Sequence, residues 1–203
     1  MLRRALICLS SLLLANASLA ECECLWRGSF TDVQADTELV VAGTIVAAKG
    51  NSIDLQIIHS LRNPLASEEV RVWLKAGDYC RPEPELFPLG SSWVMALERI
   101  NEKVPGGFNP GTPNISYGRV GDYLLSSCGG YWLKLEEDYV TGALVDAPRW
   151  VHEPKMTPVL LSLVGAYVDG SADATALLEA SREDPALREL RLNTRAFLRG
   201  DED

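Results

Sequence analysis

Histidine is scarce in this sequence, which contains only His59 and His152. A zinc helix motif places two histidines four residues apart on one helix, but Pro154 follows His152 closely and no second histidine stands nearby. His59 falls in a predicted strand, and we interpret it as an ordinary surface or barrel residue. The sequence therefore predicts no histidine metal site, and we expect no cofactor.

The motifs of several common enzyme classes are also missing. The chain has no Gly-x-Ser-x-Gly elbow, no phosphate-binding loop and no dinucleotide fingerprint. We interpret the acidic run Glu136-Glu137-Asp138 as a solvated turn rather than a set of acid–base catalysts. The sequence therefore favours a protein that is not an enzyme. An exported hydrolase, with carboxylates that the sequence does not single out, is kept as an alternative.

Basic residues are outnumbered, with 19 Lys and Arg against 28 Asp and Glu. An anionic surface repels phosphate backbones, so we predict no nucleic-acid partner. Hydrophobic residues make up 47% of the chain, which is enough to bury a core in one domain with an appendage.

Long apolar runs are absent except at the start of the chain. Arg3 and Arg4 precede the run ALICLSSLLLANA, which leads to the small residue Ala20. This pattern predicts a secretory signal cleaved after Ala20, in a run too short for a lasting membrane span. Glu21 directly before Cys22 disfavours a lipid anchor. We expect a soluble protein exported to a bacterial periplasm or medium.

Cysteine is also sparse. Cys8 leaves with the predicted signal, and Cys22, Cys24, Cys80 and Cys128 remain. An even number of cysteines in an oxidising compartment predicts two disulfides. A bridge between Cys22 and Cys24 would close a small strained ring, so each is expected to reach a distant partner, and two pairings stay open. A soft-metal thiolate site is the rival, disfavoured because exported cysteines without nearby His or Met ligands usually oxidise.

Alternating apolar residues predict roughly six short strands between residues 21 and 147. Gly43 suggests a bulge in the first strand, and Lys49-Gly50-Asn51 suggests a turn after it. Six strands separated by turn residues favour a barrel or a sandwich. Two stretches rich in proline and glycine are predicted to be loops, CRPEPELFPLGS and residues 101–121. The predicted strands are TELVVAGTIVAAKG, SIDLQIIHSL, EEVRVWLKAG, SSWVMALERI, DYLLSSCGGYWLKLE and DYVTGALV.

Helical signals replace strand signals near the end of the chain. Thr157-Pro158, Ser171 and Asp184-Pro185 are interpreted as the starts of three short helices. The last helix carries four arginines on one face, which we interpret as a solvated face, with docking on the barrel, a partner or anionic lipid as the alternative. These candidate binding residues are Arg188, Arg191, Arg195 and Arg199. The five tryptophans are interpreted as core residues rather than stacking platforms.

The order and spacing of the cysteines resemble a known family. The Cys-x-Cys start is followed by AD and VVAGTIV at residues 40–46, by DYC with LGSSWVM, and by SCGGYW. Over about residues 22–135 this resembles the N-terminal domain of tissue inhibitors of metalloproteinases and the wider netrin-like group. The resemblance implies a five-stranded barrel of the oligonucleotide/oligosaccharide-binding (OB) type, with Cys22 bonded to Cys80 and Cys24 bonded to Cys128.

The predicted fold class is mainly β, a five- to six-stranded OB-like barrel with disulfides and a short C-terminal helical tail. Residues 1–20 are predicted to be the signal peptide, 21–148 the barrel and 149–203 the helical extension. We expect an exported, non-enzymatic module that binds an unidentified protein, with Glu21 and Cys22 as candidate contacts.

Inhibition of metalloproteases is the rival function that the resemblance implies. The first cysteine of that family is the mature N-terminus, and its amine and carbonyl chelate the protease zinc. Here Glu21 precedes Cys22, so cleavage after Ala20 would leave the free amine on Glu21. We therefore expect no strong inhibition.

Overall fold

The computed structural model describes residues 22, 24–65, 67–77, 79–105, 107, 111, 115–148 and 156–182. The predicted signal peptide, Glu21, Trp150, His152 and the predicted last helix with its four arginines lie outside these residues.

Strands dominate the described residues, and three short α-helices accompany them. The helices are α1 (Phe30–Val33), α2 (Leu161–Val168) and α3 (Ala174–Ser181), with 3₁₀ turns at Gln34–Asp36 and Pro84–Leu86. The strands are β1 (Leu39–Lys49), β2 (Ser52–Arg62), β3 (Glu69–Trp73), β4 (Ser92–Arg99), β5 (Tyr123–Leu124), β6 (Trp132–Glu136), β7 (Tyr139–Gly142) and β8 (Val159–Leu160).

Five of these strands close into a barrel. Around the barrel the order is β1, β2, β3, β5 and β4, and β4 pairs back to β1. The pairing between β3 and β5 is parallel, and the other four are antiparallel. The sheet then continues from β4 through β6, β7 and β8. The predicted fold class, an OB-like barrel with a helical tail, is confirmed.

Strand β1 pairs along both edges, with β2 on one side and with β4 on the other. Its register against β2 shifts between Ala42 and Gly43, so the predicted bulge is present. A Cβ at Gly43 would lie only 2.4 Å from the carbonyl oxygen of Gln56. The close approach of the two backbones therefore requires glycine there.

The turn between β1 and β2 also holds Ser116, which lies in the stretch predicted as a long loop. Asn51 in this turn is buried, and its Nδ2 donates to the carbonyls of Ser116 at 2.7 Å and Leu74 at 3.2 Å. The Ser116 amide donates back to Asn51 Oδ1 at 2.9 Å. The sequence predicted a turn here but not this attachment.

The stretch predicted as one strand, DYLLSSCGGYWLKLE, is two strands. Leu124 of β5 pairs with Glu98, and Trp132 of β6 pairs with Met95, so both strands run antiparallel to β4. Residues 125–131 leave the sheet between them. This interruption carries Cys128 away from the ladder and makes it available to the N-terminal segment.

The helical tail begins later than predicted. Val159 and Leu160 pair with β7, which holds them extended, so α2 starts at Leu161. Thr157 is not the cap, because its hydroxyl donates to the Arg182 carbonyl at 2.7 Å.

The cap of α3 also differs from the prediction. Asp173, rather than Ser171, precedes the helix in an extended conformation, and its carboxylate accepts from Ala176 N at 2.9 Å. The Ser171 side chain instead bonds back to Asp169.

The barrel and the described part of the tail share one hydrophobic core. Leu161, Val164, Val168 and Leu177 belong to the same buried cluster as the barrel residues. The Tyr167 hydroxyl of α2 donates to the Thr31 carbonyl of α1 at 2.8 Å. Within the described residues, no helix is long and apolar enough to cross a membrane.

Three tryptophans pack as the sequence predicted. Trp73 is buried, and its Nε1 donates to Asp122 Oδ2 at 2.8 Å. Trp93 is half-buried, and its Nε1 donates to Ser91 Oγ at 2.7 Å. The rings of Trp93 and Trp132 both meet the buried Phe87 edge-on. These aromatic side chains therefore fill the core and its margin.

Candidate functional site

Two disulfides hold the N-terminal segment against two loops of the barrel. Cys22 is bonded to Cys80, with 5.2 Å between their Cα atoms, and Cys24 is bonded to Cys128, with 5.7 Å between theirs. This is the pairing that the resemblance implies. The bridges join residues 58 and 104 positions apart, so the start of the described chain is tied to distant parts of the fold.

Backbone hydrogen bonds join the same three segments into one surface unit. Arg27 N donates to the Cys128 carbonyl at 2.8 Å, Gly130 N donates to the Gly28 carbonyl at 2.9 Å, and Ser127 N donates to the Cys80 carbonyl at 3.0 Å. We call this unit the N-terminal ridge and define it as residues 22, 24–28, 79–81 and 126–130.

The chain is anchored again directly after the ridge. Phe30 is fully buried, and its amide donates to the Ala143 carbonyl at 2.8 Å. The Ser29 hydroxyl accepts from Ala147 N at 2.7 Å. A Cβ at Gly130 would lie 2.7 Å from both Phe30 N and Ala143 O. The ridge therefore lies directly against backbone and has no space to move inward.

Leu25 is the outward-facing apolar residue of the ridge. Its side chain is 88% exposed, although its neighbours Cys24 and Trp26 are half-buried. Single exposed apolar residues are common on protein surfaces and need no explanation on their own. Leu25 differs because its backbone is held by the Cys24–Cys128 disulfide before it and by the hydrogen bond from Arg27 N to the Cys128 carbonyl after it.

Arg81 attaches the 115–121 segment to the ridge. Its guanidinium donates to the Tyr117 carbonyl at 2.8 Å and lies 4.8 Å from the centre of the Tyr79 ring. The Tyr79 and Tyr117 rings are themselves 4.9 Å apart. Arg81 is buried, and desolvation lowers the pKa of its guanidinium below the ordinary value, against the opposing effects of Tyr79 and Glu98.

Glu98 carries a carboxyl group whose pKa is shifted by this environment. Burial raises its pKa above the ordinary value, and the nearby charge of Glu38 raises it further. Arg27 and Arg81 oppose these effects without reversing them. The surroundings of Glu98 therefore disfavour the charged form of its carboxyl group.

The Tyr131 hydroxyl is a second unusual group near the ridge. Tyr131 is 1% exposed, and its hydroxyl has no hydrogen-bond partner among the described residues. Burial raises the pKa of this phenol, and the nearby Arg27 partly opposes the rise although the two groups are not in bonding geometry. Arg27 instead pairs with Asp36, with 2.8 Å between Nη2 and Oδ2.

The other sequence candidates do not join the ridge. His59 is exposed on β2 and lines an open cavity of about 440 Å³ with Asp138 and Ser162. The acidic run Glu136-Glu137-Asp138 is exposed at the turn between β6 and β7, as predicted. Glu21 and the four arginines of the last helix lie outside the described residues.

Sequence reasoning identified the four cysteines but missed Leu25, Arg81, Glu98 and Tyr131. Arg81 had a weak signal, because it directly follows a disulfide cysteine. The other three stand in ordinary β patterns or beside a cysteine without any recognisable motif. Their roles arise from contacts that the chain makes only after it folds.

No protein-family model, curated protein or solved structure matches this chain. The resemblance to the metalloproteinase inhibitors therefore stays a prediction, and the fold class is established by the structure alone.

Proposed function

We propose that this protein is an exported, non-enzymatic module that binds another protein through the N-terminal ridge. The observation that carries this proposal is Leu25, an 88% exposed side chain on a backbone fixed by disulfides and hydrogen bonds. A few well-packed anchor residues commonly carry most of the binding energy of a protein interface.

The fixed backbone makes such an anchor more effective. Ordering a mobile side chain or loop on binding costs about 0.5–1.5 kcal/mol per side chain, and preorganisation removes much of that cost. Full burial of a leucine side chain contributes about 1.5–3 kcal/mol. A single anchor at position 25 can therefore change affinity by about tenfold or more.

Export is part of the proposal. Two disulfides suit an oxidising compartment, and the ridge depends on both of them for its attachment. The acidic composition of the chain, with 28 Asp and Glu against 19 Lys and Arg, favours a protein partner over a nucleic acid.

Site-specific photo-cross-linking in the exporting cell tests this proposal. A photoreactive residue is placed at position 25 and, as the control, at Leu160 of β8, which is 47% exposed and lies outside the ridge. We expect a discrete protein adduct at position 25 and not at position 160. Equal capture at both positions, or none at position 25, would contradict the proposal.

Metalloprotease inhibition is the second candidate because Cys22 and Cys24 are both fixed at the start of the described chain. Chelation in the resembled family requires the free amine on the first cysteine. An additional Glu21 moves that amine by one Cα step, about 3.8 Å, whereas zinc–nitrogen bonds are about 2.0–2.1 Å long. The Cys22–Cys80 bridge prevents the chain from sliding to compensate.

Titration of two protein forms against a panel of metalloproteases separates the two functions. We expect no nanomolar inhibition by the form that starts at Glu21. If only the form that starts at Cys22 inhibits, the fold retains the geometry and Glu21 blocks it. Nanomolar inhibition by the Glu21 form would replace the binding-module proposal with the inhibitor function.

A further inference from the structure

The two disulfides lie side by side and bring four sulfur atoms into one cluster. The Sγ atoms of Cys22, Cys24, Cys80 and Cys128 all lie within 4.8 Å of one another. These four sulfur atoms are close enough to one another to act together as ligands of one metal ion.

The sulfur positions are close to those of a tetrathiolate metal site. Zinc–sulfur bonds are about 2.3 Å long, so neighbouring sulfurs around a tetrahedral zinc are about 3.8 Å apart. Sulfurs of different bridges lie within 4.8 Å of one another, so they need to approach by no more than about 1 Å. The two sulfurs of each bridge are about 2 Å apart and separate by about 1.7 Å after reduction through side-chain rotation. The backbone therefore positions all four ligands in advance.

We propose that these four cysteines form a redox-controlled site that binds one soft metal ion, represented by Zn²⁺, when the two bridges are reduced. Four thiolates without histidine or carboxylate ligands select soft or borderline ions. All four cysteines are half-buried, so an ion reaches them from the surface without opening the core.

The chemistry needs a dithiol reductant, and it balances with one molecule per bridge. Each dithiol is oxidised to its own disulfide, while two electrons and two protons pass to a pair of cysteine sulfurs. The four resulting thiols lose their protons as Zn²⁺ binds. The product is a zinc tetrathiolate with a net charge of −2, and it ties the same three chain segments together as the bridges did.

The surroundings of the cluster favour an anionic complex. Arg81 directly follows Cys80, is buried, and makes its contacts with a carbonyl and an aromatic ring. Among the described residues, no carboxylate forms an ion pair with it. A tetrathiolate would supply the buried guanidinium with a nearby negative charge.

Zinc titration of the full mature chain tests the site. Protein reduced with a phosphine is desalted without oxygen, its free thiols are counted, and Zn²⁺ is added in competition with a chromophoric chelator. We expect one Zn²⁺ per reduced chain and none per disulfide-bonded chain. Co²⁺ in place of Zn²⁺ should give sulfur-to-cobalt charge transfer and a tetrahedral cobalt spectrum.

Two variants connect the binding to the sulfurs. Cys24→Ser should weaken zinc binding by more than about tenfold, since even partners outside the ligand shell typically contribute 10- to 100-fold. Glu85→Ala, at an exposed residue outside the ridge, keeps four sulfurs and should bind as the wild type does. If the reduced chain unfolds, Zn²⁺ should restore its circular dichroism spectrum.

Three results would overturn the proposal. The first is a reduced chain with four free thiols that binds no Zn²⁺ and is not refolded by it. The second is equal binding by the disulfide-bonded protein, and the third is a Zn²⁺ affinity that Cys24→Ser leaves unchanged.

Discussion

The pKa of the Glu98 carboxyl group results from opposing effects of burial and of neighbouring charges. Desolvation and the charge of Glu38 raise the pKa of its carboxyl group, and Arg27 and Arg81 lower it. The net direction is upward, so the folded protein holds a proton on Glu98 more tightly than the unfolded chain does. The stability that this proton contributes is present below the ordinary glutamate pKa, about 4.3, and is lost as the pH rises through the folded pKa.

We therefore predict that Glu98→Gln stabilises the protein at pH 7. The gain should be under about 1 kcal/mol, because solvent still screens a half-buried carboxylate, and it should shrink as the pH falls toward 4. Urea unfolding at a series of pH values measures it, with the exposed Glu85→Gln as the control. A variant less stable than the wild type at pH 7 would mean that the attraction to Arg27 and Arg81 dominates.

The ridge is the element on which the functional proposal depends, and its two bridges tie the N-terminal segment to two loops that are distant in the chain. Removing a long-range native disulfide frees the unfolded chain and typically costs about 2–5 kcal/mol. We predict a loss of this size for the double variant Cys24→Ala and Cys128→Ala, which leaves no unpaired thiol from this bridge. Urea midpoints with equal slopes measure it.

A surface double variant, Glu85→Ala with Leu86→Ala, serves as the control because both residues are exposed. Surface substitutions usually change stability by no more than about 0.5 kcal/mol each. If removing the bridge costs no more than this control, the ridge is held by its hydrogen bonds rather than by the disulfide. Non-reducing peptide mapping of the wild type checks the pairing itself.

Elements differ in how well local sequence predicts them. The alternation of Ile53 and Leu55 predicted β2 because one face of that strand is buried. The interruption at residues 125–131 was missed because its contacts, the bridge from Cys128 to Cys24 and the bond from Gly130 N to the Gly28 carbonyl, involve a segment distant in the chain. The start of α2 was wrong for the same reason: Val159 and Leu160 are held extended by β7, a partner that a helix-capping rule does not consider.

At the scale of the whole molecule, turn spacing and strand periodicity predicted a barrel or a sandwich, and the resemblance implied the barrel. They could not specify its closure, because the parallel pairing of β3 with β5 and the return of β4 to β1 join strands far apart in the chain. The cysteines of the candidate site were predictable from their number and compartment. Leu25 was not, because its significance comes from exposure on a fixed backbone.

The affinity of the cross-linked partner for ridge variants tests the central claim most directly. Binding of that partner is measured for the wild type, for Leu25→Asp in the ridge, and for Leu160→Asp, an exposed leucine outside it. We predict that Leu25→Asp weakens binding by at least about tenfold, since it removes about 1.5–3 kcal/mol of apolar burial, and that Leu160→Asp changes it little. Unchanged affinity for Leu25→Asp, or an equal loss for both variants, would contradict the assignment of the ridge as the contact surface.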